Sequence, residues 1–244
     1  MSEGSQRSSE RLPAGVLFDM DGTVIDSEPY WIAAEQELVS SFGGIWTEEH
    51  GRQLVGKSLV DSAEILRSAG VQLSVAEVLE FLLDRVVAAV KKKIPWRPGA
   101  VALLAELRAA GIPYALVTAS YRRFAEIIAE AGSFDAMVPG DEVTNGKPHP
   151  ESYILAAEKL GVDIKKCVAM EDSLPGIESA LASGAKTIGI PCMVPIPAAP
   201  NLSRAHSLAQ LNVRNLEVIA SGQRIDFLGA PEVGIQHAAT KGSR

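Results

Sequence analysis

Asp19-Met20-Asp21-Gly22-Thr23 sets two carboxylates two residues apart, directly after the apolar run Gly15-Val16-Leu17-Phe18. Such a pair can divide two tasks, one carboxylate attacking an electrophile while the other protonates a leaving oxygen and later deprotonates water. Gly22 allows backbone to approach a ligand closely. Taken alone, these residues are equally an Asx-rich turn. A second acidic pair, Glu171-Asp172, follows the apolar run Cys167-Val168-Ala169-Met170. Paired carboxylates without an adjacent positive charge are costly to hold together, and a hard divalent ion resolves that cost. Mg²⁺ suits such a site, taking octahedral oxygen ligands at about 2.0–2.1 Å. The other reading of Glu171 and Asp172 is a cap on the following helix.

Thr118-Ala119-Ser120 follows a third apolar run and opens a helical segment, a place where a hydroxyl and backbone amides can receive an anion or simply cap the helix. Gly146-Lys147-Pro148-His149-Pro150 fixes a lysine in a stiff turn, from which its ammonium can pair with phosphate and with Asp19, or face solvent. His149 is taken as a loop residue, and His50, His206 and His237 lack metal-ligand spacing.

The elements that must position these residues alternate. Four short apolar runs, beginning at Gly15, Pro113, Cys167 and Lys186, end at Asp19, Thr118, Glu171 and Pro191, and read as buried strands. Helical segments between them stop at Gly111, Gly132, Gly161 and Gly184, each glycine expected to supply a left-handed cap. The implied class is α/β: a Rossmann-like parallel sheet covered on both faces, with ligands beyond the carboxyl ends of its strands. Between residues 29 and 94 the strand signal gives way to helical spacing, bounded by the proline-bearing links Asp26-Ser27-Glu28-Pro29 and Ile94-Pro95-Trp96-Arg97-Pro98-Gly99. This predicts a core of residues 1–28 and 95–225, a helical cap of residues 29–94 that rocks as a body, and a C-terminal tail of residues 226–244.

Bulk properties narrow the function further. With 244 residues, 47% hydrophobic, the chain can bury a full core. A net charge of −7 and the lack of a long basic stripe disfavour nucleic-acid binding; Lys91-Lys92-Lys93 reads as a solvated helix end or a lure for an anionic substrate. Cys167 and Cys192 form neither a CxxC motif nor a disulfide framework, which suits a reducing cytoplasm. No apolar stretch approaches the roughly 20 residues of a membrane span, and the polar first dozen residues contain no signal-like apolar segment.

In order and placement the four segments resemble the four motifs of the haloacid dehalogenase superfamily, over residues 14–192. The likeness is strongest to the subgroup with a helical cap after the first motif, which includes β-phosphoglucomutases and sugar-phosphate phosphatases. The resemblance implies Asp19 as nucleophile, Asp21 as general acid/base and Lys147 as charge-neutralising lysine. It makes Gly22, Thr118, Ala119 and Lys147 phosphate-binding, and Asp19, Asp21 (through its backbone carbonyl), Glu171 and Asp172 the Mg²⁺ site. Dehalogenases and phosphonate-cleaving members lack an aspartate at the position of Asp21, which favours phosphate-ester chemistry.

Within the cap, β-phosphoglucomutases carry a histidine where Trp31 stands and an arginine where Leu59 stands, after Gly56-Lys57-Ser58. The expected function is therefore a Mg²⁺-dependent phosphatase for a small sugar or polyol monophosphate, working through an aspartyl phosphate. Trp31, Gly56, Lys57 and Ser58 are its candidate specificity residues, with Trp31 equally cap core and Lys57 otherwise solvated. The alternatives are a mutase of the β-phosphoglucomutase kind and a catalytically silent regulator that binds a phosphorylated ligand. Retention of Asp21 speaks against the last, because binding alone does not require it.

Overall fold

The computed structural model describes residues 12–54 and 57–229. Strand β1 (Gly15–Asp19) is buried along its whole length and lies in the middle of a six-stranded sheet. With β2 (Tyr114–Val117), β3 (Ala136–Val138), β4 (Cys167–Glu171), β5 (Lys186–Gly189) and β6 (Leu202–Arg204) the order is β3-β2-β1-β4-β5-β6, every pairing parallel. Alternation decides which side chains go to which face. Val16 and Phe18 join Leu116, Val168 and Met170 in one cluster, while Leu17 joins Ala115, Val117, Ala169 and Tyr153 on the other face. Both faces are covered, which explains why the strands read as unbroken apolar runs.

Two of the six strands, β3 and β6, carry no run long enough to be recognised in the sequence. Each has three residues and each closes one edge of the sheet. Between the strands lie α5 (Ala100–Ala109), α6 (Arg122–Gly132), α7 (Glu151–Leu160) and α8 (Leu174–Ser183), with α9 (Val213–Ala220) after β6. Gly111, Gly161 and Gly184 do adopt positive φ at helix ends. Gly132 does not: α6 runs through it and Ser133 takes the left-handed conformation, with φ +52°. Glycine is needed there for packing instead, since a Cβ would sit 2.5 Å from the Phe134 ring.

Between β1 and α5 the chain is helical, through α1 (Glu28–Ser41), the short α2 (Glu48–Arg52), α3 (Leu59–Ser68) and α4 (Val75–Lys92). The last of these starts on a capping box between Ser74 and Glu77 and buries Val78, Leu82, Val86 and Val90 along one stripe. Lys91 and Lys92 are exposed in its last turn and Lys93 is its C-cap. This helical unit meets the core through Trp31, edge-on to Phe124 at 6.1 Å, and through Arg123, which pairs with Glu80 at 3.0 Å and also with Asp84. The chain segments at its base are zipped together: Asp26 N–H donates to Pro95 O and Arg97 N–H to Val24 O, both at 2.9 Å. Ile25 and Trp96 form an antiparallel bridge between them.

At the far end, Asp226 accepts two bonds from Arg204, and residues 230–244 of the expected tail lie outside the described residues. Among the described residues no helix is long and apolar enough to cross a membrane.

Candidate active site

Strand register brings the chemistry to one edge. Asp19 pairs with Val117 and Phe18 with Met170, which places Asp19, Thr118 and Glu171 side by side at the carboxyl ends of β1, β2 and β4. Lys147 arrives from the loop before α7 and its ammonium donates to Asp19 Oδ1 at 2.7 Å, Glu171 Oε1 at 2.6 Å and Val117 O at 3.1 Å. The lysine and both carboxylates are nearly or fully buried. Burial and the neighbouring Glu171 hold the Asp19 carboxyl well above the usual range, with Lys147 opposing. Burial and Glu171 likewise push Asp172 up to about 7, against the pull of Lys147 and Arg97.

Asp19, Glu171 and Asp172 each offer a carboxylate oxygen within 4.8 Å of the others. Asp19 Oδ2 is buried and accepts no hydrogen bond among the described residues. Three carboxylates against the one ammonium of Lys147 leave two uncompensated negative charges when all are ionised, and burial makes that costly. A divalent cation fits this donor set: it supplies the missing charge and gives Asp19 Oδ2 a partner. Glu171 is the most heavily committed of the three. Its Oε1 accepts from Lys147 and from Tyr153 Oη at 2.8 Å, and its Oε2 from the amides of Asp172 and Ser173 and from Ser173 Oγ.

Asp21 occupies different surroundings. Its Oδ1 accepts from Ser27 Oγ at 2.5 Å, and its Oδ2 from Ser120 Oγ at 2.8 Å and Thr118 Oγ1 at 3.2 Å. Burial raises its carboxyl while these hydroxyls pull it back. The three donors orient the group, and burial without a cation in hydrogen-bond contact is what favours its protonated form. Glu28, at the start of α1, is pushed to about 7 by burial and by Asp21 and Asp26.

Two expectations about anion-binding backbone change. Gly22 does not offer its amide, which donates to Ile25 O at 2.8 Å. The glycine is required because its φ is +86° and because a Cβ would lie 2.0 Å from Asp172 Oδ2. Thr118-Ala119-Ser120 forms a loop rather than the first turn of α6, which starts at Arg122; the Arg122 amide is taken by Asp141 Oδ1 at 2.9 Å. Thr118 Oγ1 accepts from Ser120 N, and Ala119 is exposed at the rim. Glu171 and Asp172 are not the cap of α8, a part played by Ser173, whose side chain accepts from Gly176 N.

Of the candidate specificity residues, Trp31 packs between helical unit and core. Lys57 is exposed, Ser58 caps α3 by accepting from Asp61 N, and Gly56 lies outside the described residues. The sequence reading did not single out Ser27, Ser120, Tyr153 or Gly176. The last is legible only in retrospect, as the small residue at which α8 meets the Glu171 carboxyl: a Cβ there would fall 1.9 Å from Oε1.

A family model described as haloacid dehalogenase-like hydrolase matches residues 16–190. The chain belongs to this family. Among haloacid dehalogenase-like relatives, hexitol phosphatase A of Escherichia coli K12 is 32% identical over 211 residues, covering 82% of this chain and 93% of its own. A phosphorylated carbohydrates phosphatase of Thermotoga maritima is 34% identical over 181 residues, covering 71% of this chain and 82% of its own. The crystal structure of CbbY from Rhodobacter sphaeroides in complex with phosphate superposes with a TM-score of 0.75 at 29% identity, over 84% of this chain and 99% of that one.

Proposed function

We propose that this haloacid dehalogenase-like hydrolase is a phosphatase for small sugar or polyol monophosphates. The observation that carries the reading is the contrast between Asp19, clamped by Lys147, and Asp21, held by three hydroxyls with no cation in contact. Lys147 favours the ionised form of Asp19 as nucleophile against the burial that raises its carboxyl, and Asp21 is suited to be the group that carries a proton. The names of the relatives in E. coli and T. maritima support the substrate class.

Asp19, Asp172 and Glu171 would hold Mg²⁺, with the Asp21 backbone carbonyl completing the protein's share. The bound ion supplies Lewis-acid neutralisation of the phosphoryl oxygens. The chain's own residues do the rest. Lys147 shields the charge between Asp19 and the incoming phosphoryl group, and Thr118, turning its hydroxyl away from Asp21, donates to a phosphoryl oxygen. An Asp19 carboxylate oxygen attacks phosphorus as the P–O bond to the alcohol breaks, and Asp21 delivers its proton to the departing alkoxide. Asp21, now ionised, takes a proton from water; the hydroxyl oxygen attacks the aspartyl phosphate, releasing inorganic phosphate and restoring the Asp19 carboxylate. The helical unit above excludes water in the first half and admits it in the second.

The test is a phosphate-release screen over sugar, polyol, glycolate and nucleoside monophosphates with Mg²⁺, run beside Asp19→Asn. Release from sugar or polyol esters by the parent, and its loss in a folded Asp19→Asn protein, is the expected result. Appreciable turnover by the variant removes Asp19 from its role. Formation of glucose 6-phosphate from β-glucose 1-phosphate faster than phosphate release would make the enzyme a mutase, and no turnover with retained phosphate binding would make it a silent binder.

A further inference from the structure

Arg97 belongs to none of the four motifs, yet it touches the back of the first and the end of the strand beside the last. It lies in the segment that returns from the helical unit to the core and is half-buried. Its Nη1 donates to Gly22 O at 2.6 Å and its Nη2 to Pro191 O at 3.0 Å, while its backbone N–H donates to Val24 O. Gly22 follows Asp21 directly. Pro191 stands just beyond β5, whose Gly189 pairs with Glu171. One guanidinium thus joins the loop after β1 to the strand end beside the acidic pair.

The contact matters because of what Gly22 seats. Its Cα face lies against the Asp172 carboxylate so closely that no Cβ fits. If the Gly22 carbonyl swings, that seat moves, and with it the Asp172 oxygens that face Asp19. Arg97 also sits in the zipped pair of segments, Val24 to Asp26 against Pro95 to Arg97, that forms the base of the helical unit. Motion of that unit must be taken up beyond this ribbon for the carboxylates to keep their spacing. A planar fork with two parallel donors suits the task, whereas the single point charge of a lysine does not.

We propose that Arg97 is a positioning residue, which by strapping the Gly22 and Pro191 carbonyls together fixes Asp172 for metal binding and isolates the catalytic edge from movements of the helical unit. The proposal rests on the assignment of Asp172 to Mg²⁺.

The experiment compares the parent with Arg97→Ala and Arg97→Lys. Mg²⁺ binding is followed by titration calorimetry in the presence of inorganic phosphate, turnover by phosphate release, and fold by circular dichroism. Loss of both charge-assisted bonds predicts at least about a tenfold weakening of Mg²⁺ binding in Arg97→Ala. A similar fall in kcat is expected, with substrate KM changed much less. Added guanidinium at low millimolar concentration should restore part of both in Arg97→Ala and neither in the parent, and Arg97→Lys should fall between.

Parent-like Mg²⁺ affinity in Arg97→Ala overturns the proposal, and so does an Arg97→Lys protein equal to the parent, since charge alone would then suffice. Weakened binding that tracks loss of folded protein and resists guanidinium also overturns it. Should the parent bind Mg²⁺ but release no phosphate from any ester, the phosphatase reading fails while the calorimetric arm still decides the strap.

Discussion

Glu35 offers the sharpest quantitative test of the helical unit. It lies on the inner side of α1, 5% exposed, where Trp46 Nε1 donates to its Oε2 at 3.0 Å. Burial, aided by the negative charge of Glu28 and opposed by the Trp46 bond, pushes its carboxyl from 4.5 to about 7. At 1.36 kcal/mol per pH unit that displacement corresponds to about 3 kcal/mol. The carboxyl is protonated more readily in the folded chain than in the unfolded one. Its contribution is therefore fully present below about pH 4.5 and is lost as pH rises through about 7. A Glu35→Gln protein keeps the shape and the acceptor for Trp46 but cannot ionise. Urea unfolding of parent and variant, followed by tryptophan fluorescence and circular dichroism at pH 4.5 and pH 8, isolates this group because all others cancel in the difference. The stability of the variant relative to the parent should rise by about 3 kcal/mol between the two pH values, a large share of a typical 5–15 kcal/mol total. A relative stability that stays constant, or falls, refutes the assignment of Glu35 as a carboxyl held neutral by its surroundings.

Three further outcomes are expected. Lys147→Met should destabilise the protein by about 3–5 kcal/mol in the presence of chelator, because Asp19 and Glu171 are left buried without their shared cation, and Mg²⁺ should restore much of the loss; equal denaturation midpoints for parent and variant in chelator would contradict it. Gly176→Ala should cost about 1–3 kcal/mol, since its Cβ would overlap the Glu171 carboxyl, and should lower turnover by displacing the Lys147 anchor; normal stability and activity would show that α8 shifts freely. Asp172→Ala should sharply raise the Mg²⁺ concentration needed for half-maximal phosphate release, and an unchanged requirement would exclude Asp172 from the metal site.

What the sequence disclosed and what it concealed divide along a physical line. Strand ends that carry Asp19, Thr118 and Glu171 were legible because a buried strand in a parallel sheet is apolar throughout, and an acidic residue or hydroxyl at its end breaks the run visibly. The strands β3 and β6 were not, because three residues at a sheet edge give no period, and β6 contains Arg204, a charge that is buried only because Asp226 comes back to meet it. The same holds in the site. Ser120 and Tyr153 acquire meaning only through partners 99 and 18 residues distant, and in the sequence each is a small polar residue or an aromatic at a helix start.

Gly22 shows the limit most clearly. Its presence after Asp21 pointed to a backbone that approaches a ligand, yet the structure gives its amide to Ile25 and its missing Cβ to Asp172. Both accounts demand glycine, and sequence spacing cannot separate them; only the position of a carboxylate 150 residues away, set by the pairing of β1 with β4, does so. The residues proposed to perform chemistry were thus announced by their own types, whereas those that contact them or their loops, Arg97, Tyr153 and Gly176 among them, are defined by what the fold brings against them.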